Sequence, residues 1–117
     1  MSDRPTTAYK VLTAGQMATL ETGAFDGAPI DLADGYIHLS TAAQLTETVD
    51  KHFAGQSDLH VAAVDLGALG DAVTWEESRG GQLFPHLYGG PLLLETVVAY
   101  GPLTRADDGS VALPVAG

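Results

Sequence analysis

The sequence predicts an α+β domain with two helices placed early and most of its strands later. Three observations lead to that reading. Helix-period patterning is confined to two stretches, residues 13–25 and 41–55. Extended or continuous apolar runs dominate the second half, from residue 59 to residue 100. Strands and helices do not alternate throughout, as a doubly wound sheet requires. The 117 residues, 45% of them hydrophobic, supply one core and are too few for two. A single domain is expected over residues 1–117, with 1–7 and 114–117 as loose ends.

Residues 8–12 alternate as a first strand, with Tyr9 and Val11 on one face. Thr13 and Gln16 stand at capping-box spacing, and Met17, Leu20 and Ala24 outline a short amphipathic helix. Asp26-Gly27-Ala28-Pro29 reads as a turn-rich loop. Next comes Gly35-Tyr36-Ile37-His38-Leu39-Ser40-Thr41, a short strand running into a helix start. Extended backbone sends Ile37 and Leu39 into a core and Tyr36, His38 and Ser40 to the opposite face. Thr41 and Gln44 repeat the capping-box spacing, and Leu45, Val49 and Phe53 recur every four residues before Gly55 ends the helix.

Residues 59–66 are nearly continuous in apolar character, which suits a strand covered on both faces. Residues 66–70 hold one helical turn at most, residues 73–76 a short strand, and residues 77–82 a polar loop around Arg79. The second motif is Phe84-Pro85-His86-Leu87-Tyr88-Gly89-Gly90-Pro91. Extended, it presents Phe84, His86 and Tyr88 on one face; Pro85 and Pro91 point to an edge strand or a loop crossing a pocket. Residues 92–100 read as one long strand, and 103–113 as a closing hairpin turning near Asp107-Asp108-Gly109. The expected core is Ile37, Leu39, Leu45, Val49, Phe53, Val61, Val64, Leu94 and Val97.

Composition narrows the function. A formal charge of −10, with only five Lys and Arg, repels nucleic-acid backbones and anionic membranes. Neither is expected as a partner, whereas a small-molecule ligand is. Without cysteine there is no disulfide, thiolate metal site or cysteine nucleophile. No apolar run approaches membrane-spanning length, so a cytoplasmic protein is expected.

Chemistry centres on two of the four histidines. His52 and His60 read as surface or structural residues, while His38 and His86 each have a tyrosine two positions away, Tyr36 and Tyr88. Facing one cleft, two imidazoles are natural proton donors and acceptors near neutral pH. Glu76 is placed to orient one of them or to act as a further acid or base. Ser40 and Thr41, at a helix start, offer polar contacts to a ligand. Arg79 is the candidate for an anionic group, and Trp75 reads as core. Ser40 lacks the glycines of a nucleophile elbow, and no P-loop or Rossmann glycine pattern is present. No histidine pair has helical metal-ligand spacing, so no metal is expected.

The two motifs in this order, with Trp75-Glu76 between them, resemble the bacterial family of uncharacterised proteins called domain of unknown function 952. The resemblance runs from about residue 9 to residue 113, and the doubled Gly89-Gly90 departs from the pattern. It implies likeness to the ADP-ribosyltransferase group, whose split or curved, mainly antiparallel sheets grip NAD in a cleft. By that likeness His38 would contact the nicotinamide ribose, with His86 and Tyr88 across from it. No motif places that group's catalytic glutamate, although Glu76 is available. The implied activity is NAD or nucleotide binding with transfer of ADP-ribose; the alternative is a non-catalytic small-ligand or partner-binding module.

Overall fold

The first strand, β1 (Thr7–Thr13), stops where its last residue caps the next element. Thr13 Oγ1 accepts from the Gln16 N–H (3.2 Å) and Gln16 Oε1 accepts from the Thr13 N–H (2.9 Å), which starts α1 (Ala14–Glu21). The structure, a computed structural model, describes residues 5–78 and 81–114. After α1 come β2 (Ala24–Phe25), α2 (Pro29–Asp34), β3 (Ile37–His38) and α3 (Ala42–His52). Then follow β4 (Leu59–Asp65), the single turn α4 (Leu66–Leu69), β5 (Val73–Glu77), β6 (Leu83–Leu87), β7 (Leu92–Leu93) and β8 (Val97–Pro102).

The strands form three antiparallel sheets, ordered β1-β4-β8, β3-β6-β5 and β2-β7. Side-chain alternation gives the β1-β4-β8 sheet two apolar faces. Ala8, Leu12, Ala62 and Val64 pack with Met17 and Leu20 of α1 and with Ile37 and Leu39. Tyr9, Val11, Val61 and Ala63 pack with Leu45 and Val49 of α3. The architecture is α+β, with helices laid on split antiparallel sheets.

Several expectations need correction. The loop at residues 26–28 stands, but a third helix, α2, follows it where none was expected: Pro29 opens it, Ala28 N–H donates to Asp31 Oδ2 (2.7 Å), and Gly35 ends it in the left-handed region (φ 85°). The Pro85 segment is neither edge nor loop, because β6 is the central strand of its sheet. Pro85 is tolerated there for a specific reason. Its carbonyl accepts from Leu39 N–H (3.1 Å), but it has no N–H to return, so pairing with β3 ends at His38 and the chain turns away.

The long strand over residues 92–100 is broken. Leu94–Thr96 makes a 3₁₀ turn, held by Thr96 Oγ1 on Leu93 O (2.7 Å), and the chain switches from β7 in one sheet to β8 in another. Leu94 and Val97 are therefore half-buried; Phe53, at the end of α3, is half-buried as well, while the other six expected core residues are buried. The hairpin over residues 103–113 narrows to one bridge, Arg105 with Val111, around a turn at Asp107-Asp108-Gly109. Within the stretch expected to be a loose start, Thr7 is already in β1 and Thr6 O accepts from Leu66 N–H (2.9 Å). Among the described residues no helix is long and apolar enough to cross a membrane.

Candidate functional site

Two sheets meet at one point and then part. Tyr9 and Ser40 exchange both backbone hydrogen bonds, Tyr9 N–H to Ser40 O (2.7 Å) and Ser40 N–H to Tyr9 O (2.9 Å). Antiparallel continuation would set Val11 against His38. That ladder is pre-empted by side chains. His38 N–H donates instead to Asp31 Oδ1 (3.0 Å), and His38 O accepts from Lys10 Nζ (3.1 Å). Lys10 is itself paired with Asp31 (Nζ to Oδ2 2.9 Å). Both members of this pair are buried, at 6% and 2% exposure. The gap they wedge open is a cleft of about 530 Å³ between the edge of β1, α2 and the β3-β6 pair, with α3 beside it.

Burial alone would raise the Asp31 carboxyl, but the His38 hydrogen bonds and the Lys10 charge outweigh it and hold the acid well below the usual range. Burial pushes the Lys10 ammonium below its ordinary value, opposed by Asp31.

The imidazoles project from facing positions on β3 and β6, which pair His38 with His86. His38 Nδ1 lies 2.6 Å from Asp31 Oδ1 and Nε2 lies 2.9 Å from Asp34 Oδ2. A ring with both nitrogens on carboxylates satisfies both contacts only when both carry protons. His86 is 3% exposed, and its Nδ1 lies 2.8 Å from Glu76 Oε1. With the carboxylate accepting there, Nε2 is the nitrogen left to meet a ligand.

Tyr36 packs against both rings. Its own ring stacks on His86 at 4.1 Å and tilts on His38 at 4.7 Å; the imidazole centroids are 5.4 Å apart. Burial, aided by the charges of Asp34, Glu76 and Asp31, pushes the Tyr36 phenol above its ordinary value. Tyr88 donates to Glu76 Oε1 (2.5 Å); that bond raises its phenol to about 12 and, with the His86 contact, lowers Glu76.

The cleft therefore gathers His38, His86, Tyr36 and Ser40 from the residues singled out in the sequence. Ser40 Oγ lies 2.8 Å from Thr48 Oγ1 on α3. Thr41, Glu76 and Tyr88 are not among the lining side chains. Thr41 is buried, and its N–H donates to Gln44 Oε1 (3.0 Å) as the cap spacing predicts. Glu76 bonds both His86 and Tyr88, and the Tyr88 ring lies 5.1 Å from that of Tyr36; Arg79 lies outside the described residues. Trp75 is half-buried against the core; His52 reaches the cleft, and His60 is half-buried in β4. Sequence reading missed Lys10, Asp31 and Asp34. One signal was available for the acids: Pro29 two residues before Asp31 is a helix-start pattern with an acid in its first turn.

Comparison with known proteins gives one family and one close structural relative. The family model described as "Protein of unknown function (DUF952)" matches residues 11–100. The X-ray structure of protein CC0527 from Caulobacter crescentus is similar at 42% identity, with TM-score 0.82, over 92% of this chain and 94% of that one. The solution NMR structure of the same Caulobacter protein matches with TM-score 0.76, over 92% and 91% of the two chains. No curated protein matches the chain.

Proposed function

The chain belongs to the DUF952 family of proteins of unknown function, and we propose that its cleft binds NAD or a related nucleotide by the ring and ribose. The observation that carries this reading is the pair of imidazoles 5.4 Å apart on one cleft, each with Nδ1 on a carboxylate. A volume of about 530 Å³ falls in the range of small-ligand sites. Tyr36 and Phe84 offer aromatic surface to a planar ring, and Asp34, at the mouth, offers acceptors to sugar hydroxyls. The parting of two antiparallel sheets at a single bridge supports the likeness to ADP-ribosyltransferases.

Charge decides which end of the nucleotide fits. Lys10 is the one fixed cation among the described lining residues, and Asp31 already holds it. For the pyrophosphate, Arg79 is kept as the proposed partner on sequence grounds. In ADP-ribose transfer the bond from ribose C1′ to the nicotinamide nitrogen breaks, and its electron pair leaves with the nicotinamide. An acceptor oxygen or nitrogen then bonds C1′ and gives up its proton. His86 Nε2 is the base for that proton, with Glu76 holding the ring. A cytoplasmic setting belongs to the same reading, supported by the cysteine-free composition.

The second reading, a non-catalytic ligand-binding module, draws on His38, whose two nitrogens are both already bonded to carboxylates. Thermal shift against NAD, ADP-ribose, nicotinamide riboside and adenosine tests binding, because a ligand of the native state raises its melting temperature. Release of free nicotinamide from NAD, lost in His86→Ala, supports transfer. Binding without release supports the module, and no shift with any of the four ligands sinks the nucleotide reading.

A further inference from the structure

The edge of β1 that faces the cleft carries one unanswered peptide group. Strand geometry sends the N–H and C=O of every second residue to the same side. Those of Tyr9 point away from β4, to Ser40, so those of Val11 point the same way. Two residues further on, the Thr13 N–H is taken by Gln16 Oε1 (2.9 Å). Among the described residues neither the N–H nor the C=O of Val11 has a hydrogen-bond partner, although Val11 is only 5% exposed and lines the cleft. Buried backbone groups are almost always paired. Its natural partner in a continued ladder, His38, has been drawn away by Asp31 and Lys10.

We infer that Val11 is a recognition point for an amide: a cleft ligand presenting an N–H donor and a C=O acceptor side by side. A primary carboxamide or a lactam edge of a nucleobase has this pattern; a carboxylate or an ester does not. Such a group takes the place that the facing strand vacates, accepting from the Val11 N–H and donating to its C=O. The free edge is one residue long, bounded by the Ser40 bridge and the Gln16 side chain, which suits a single planar amide. This subsite rests on the cleft being a ligand site, and it selects ligands within it by their amide.

The test needs no knowledge of the physiological ligand. Nicotinamide and uracil supply the carboxamide and the lactam; nicotinate and N,N-dimethylnicotinamide keep a ring and an acceptor oxygen but lose the N–H donor. Heteronuclear NMR titration follows the Val11 amide in each case. The two amides should shift that resonance and bind about tenfold or more tighter than the two controls, the scale of one lost hydrogen bond. Nicotinamide binding without uracil binding assigns the subsite to carboxamides, and the reverse to nucleobases.

Val11→Pro removes the cleft-facing N–H, on the side of β1 away from β4, and should weaken amide binding by a similar factor. If Val11→Pro fails to fold, the ligand series on wild-type protein decides alone. Equal binding of amides and controls, or no movement at Val11, overturns the subsite, and so does failure of every ring compound to bind. NAD binding without amide discrimination would leave the nucleotide reading standing and remove this one; amide binding without NAD binding would do the reverse.

Discussion

The two histidines of the cleft look alike in sequence and are built differently. His38 stands on a two-residue strand and is held by carboxylates at both nitrogens, one of which, Asp31, is buried and charge-paired with Lys10. His86 stands in the central strand of its sheet, is itself buried, and leans on a carboxylate whose side chain is 39% exposed. At the first site the buried charges lie behind the imidazole and hold two sheets apart. At the second the imidazole is the buried part and its partner titrates in contact with solvent. The same residue type is thus an end point of a structural ion network in one place and a connection between cleft and solvent in the other.

The largest expected effect breaks the first site. Lys10→Met leaves the Asp31 carboxylate buried without its cation, and removing one member of a buried pair costs roughly 3–5 kcal/mol. Urea unfolding of the variant measures it. A loss below about 1 kcal/mol, the scale of exposed pairs, would mean that water reaches Asp31 and that the pair does not hold the split open.

The next separates the two imidazoles directly. His86→Ala removes a buried ring stacked on Tyr36 and should cost about 2–3 kcal/mol, the low end of large-to-small changes in a core. His38→Ala should cost less, about 1–2 kcal/mol, since Asp31 keeps Lys10 and the His38 and Ala28 backbone N–H groups. The reverse order of melting temperatures would show that the His38 ring, and not its backbone, anchors the network.

Acid sharpens the contrast. Asp31 titrates in the folded protein below its ordinary value of 3.8. A carboxylate depressed on folding contributes stability above its unfolded value and loses it as pH falls through the folded one. Stability should therefore decline as pH drops below about 4, and Asp31→Asn should flatten that decline at the cost of a lower plateau at neutral pH. Glu76→Gln should leave most of the acid decline in place, because the Glu76 side chain is far more exposed. An unchanged acid limb in Asp31→Asn would assign the acid sensitivity elsewhere.

The smallest effect is local. The Tyr88 phenol stands at about 12 chiefly because it donates to Glu76. In Glu76→Gln its titration, followed by ultraviolet difference absorbance, should fall back toward the ordinary tyrosine value of about 10. A phenol that stays high would mean that burial, not the carboxylate, sets it.

What the sequence determined by itself is whatever acts within a turn or along one strand. The two capping boxes, Thr13 with Gln16 and Thr41 with Gln44, join residues three apart, and both helices begin where that spacing puts them. The four-residue recurrence of Leu45 and Val49 chose the buried face of α3, although Phe53, at the helix end, emerged half-buried. Alternation also put His38 and Tyr36 on the face opposite Ile37, and His86 opposite Leu87. The tertiary structure alone decided what lies between distant segments. Lys10 meets Asp31 across 21 residues, and Pro85 becomes tolerable in a central strand because β3 ends beside it. The apolar run after residue 92 is divided between two sheets, a change that its hydrophobicity does not encode. Periodicity and capping are energies of near neighbours and can be read from spacing; the partner of a buried charge depends on which surfaces the fold brings together, and only the assembled chain supplies that.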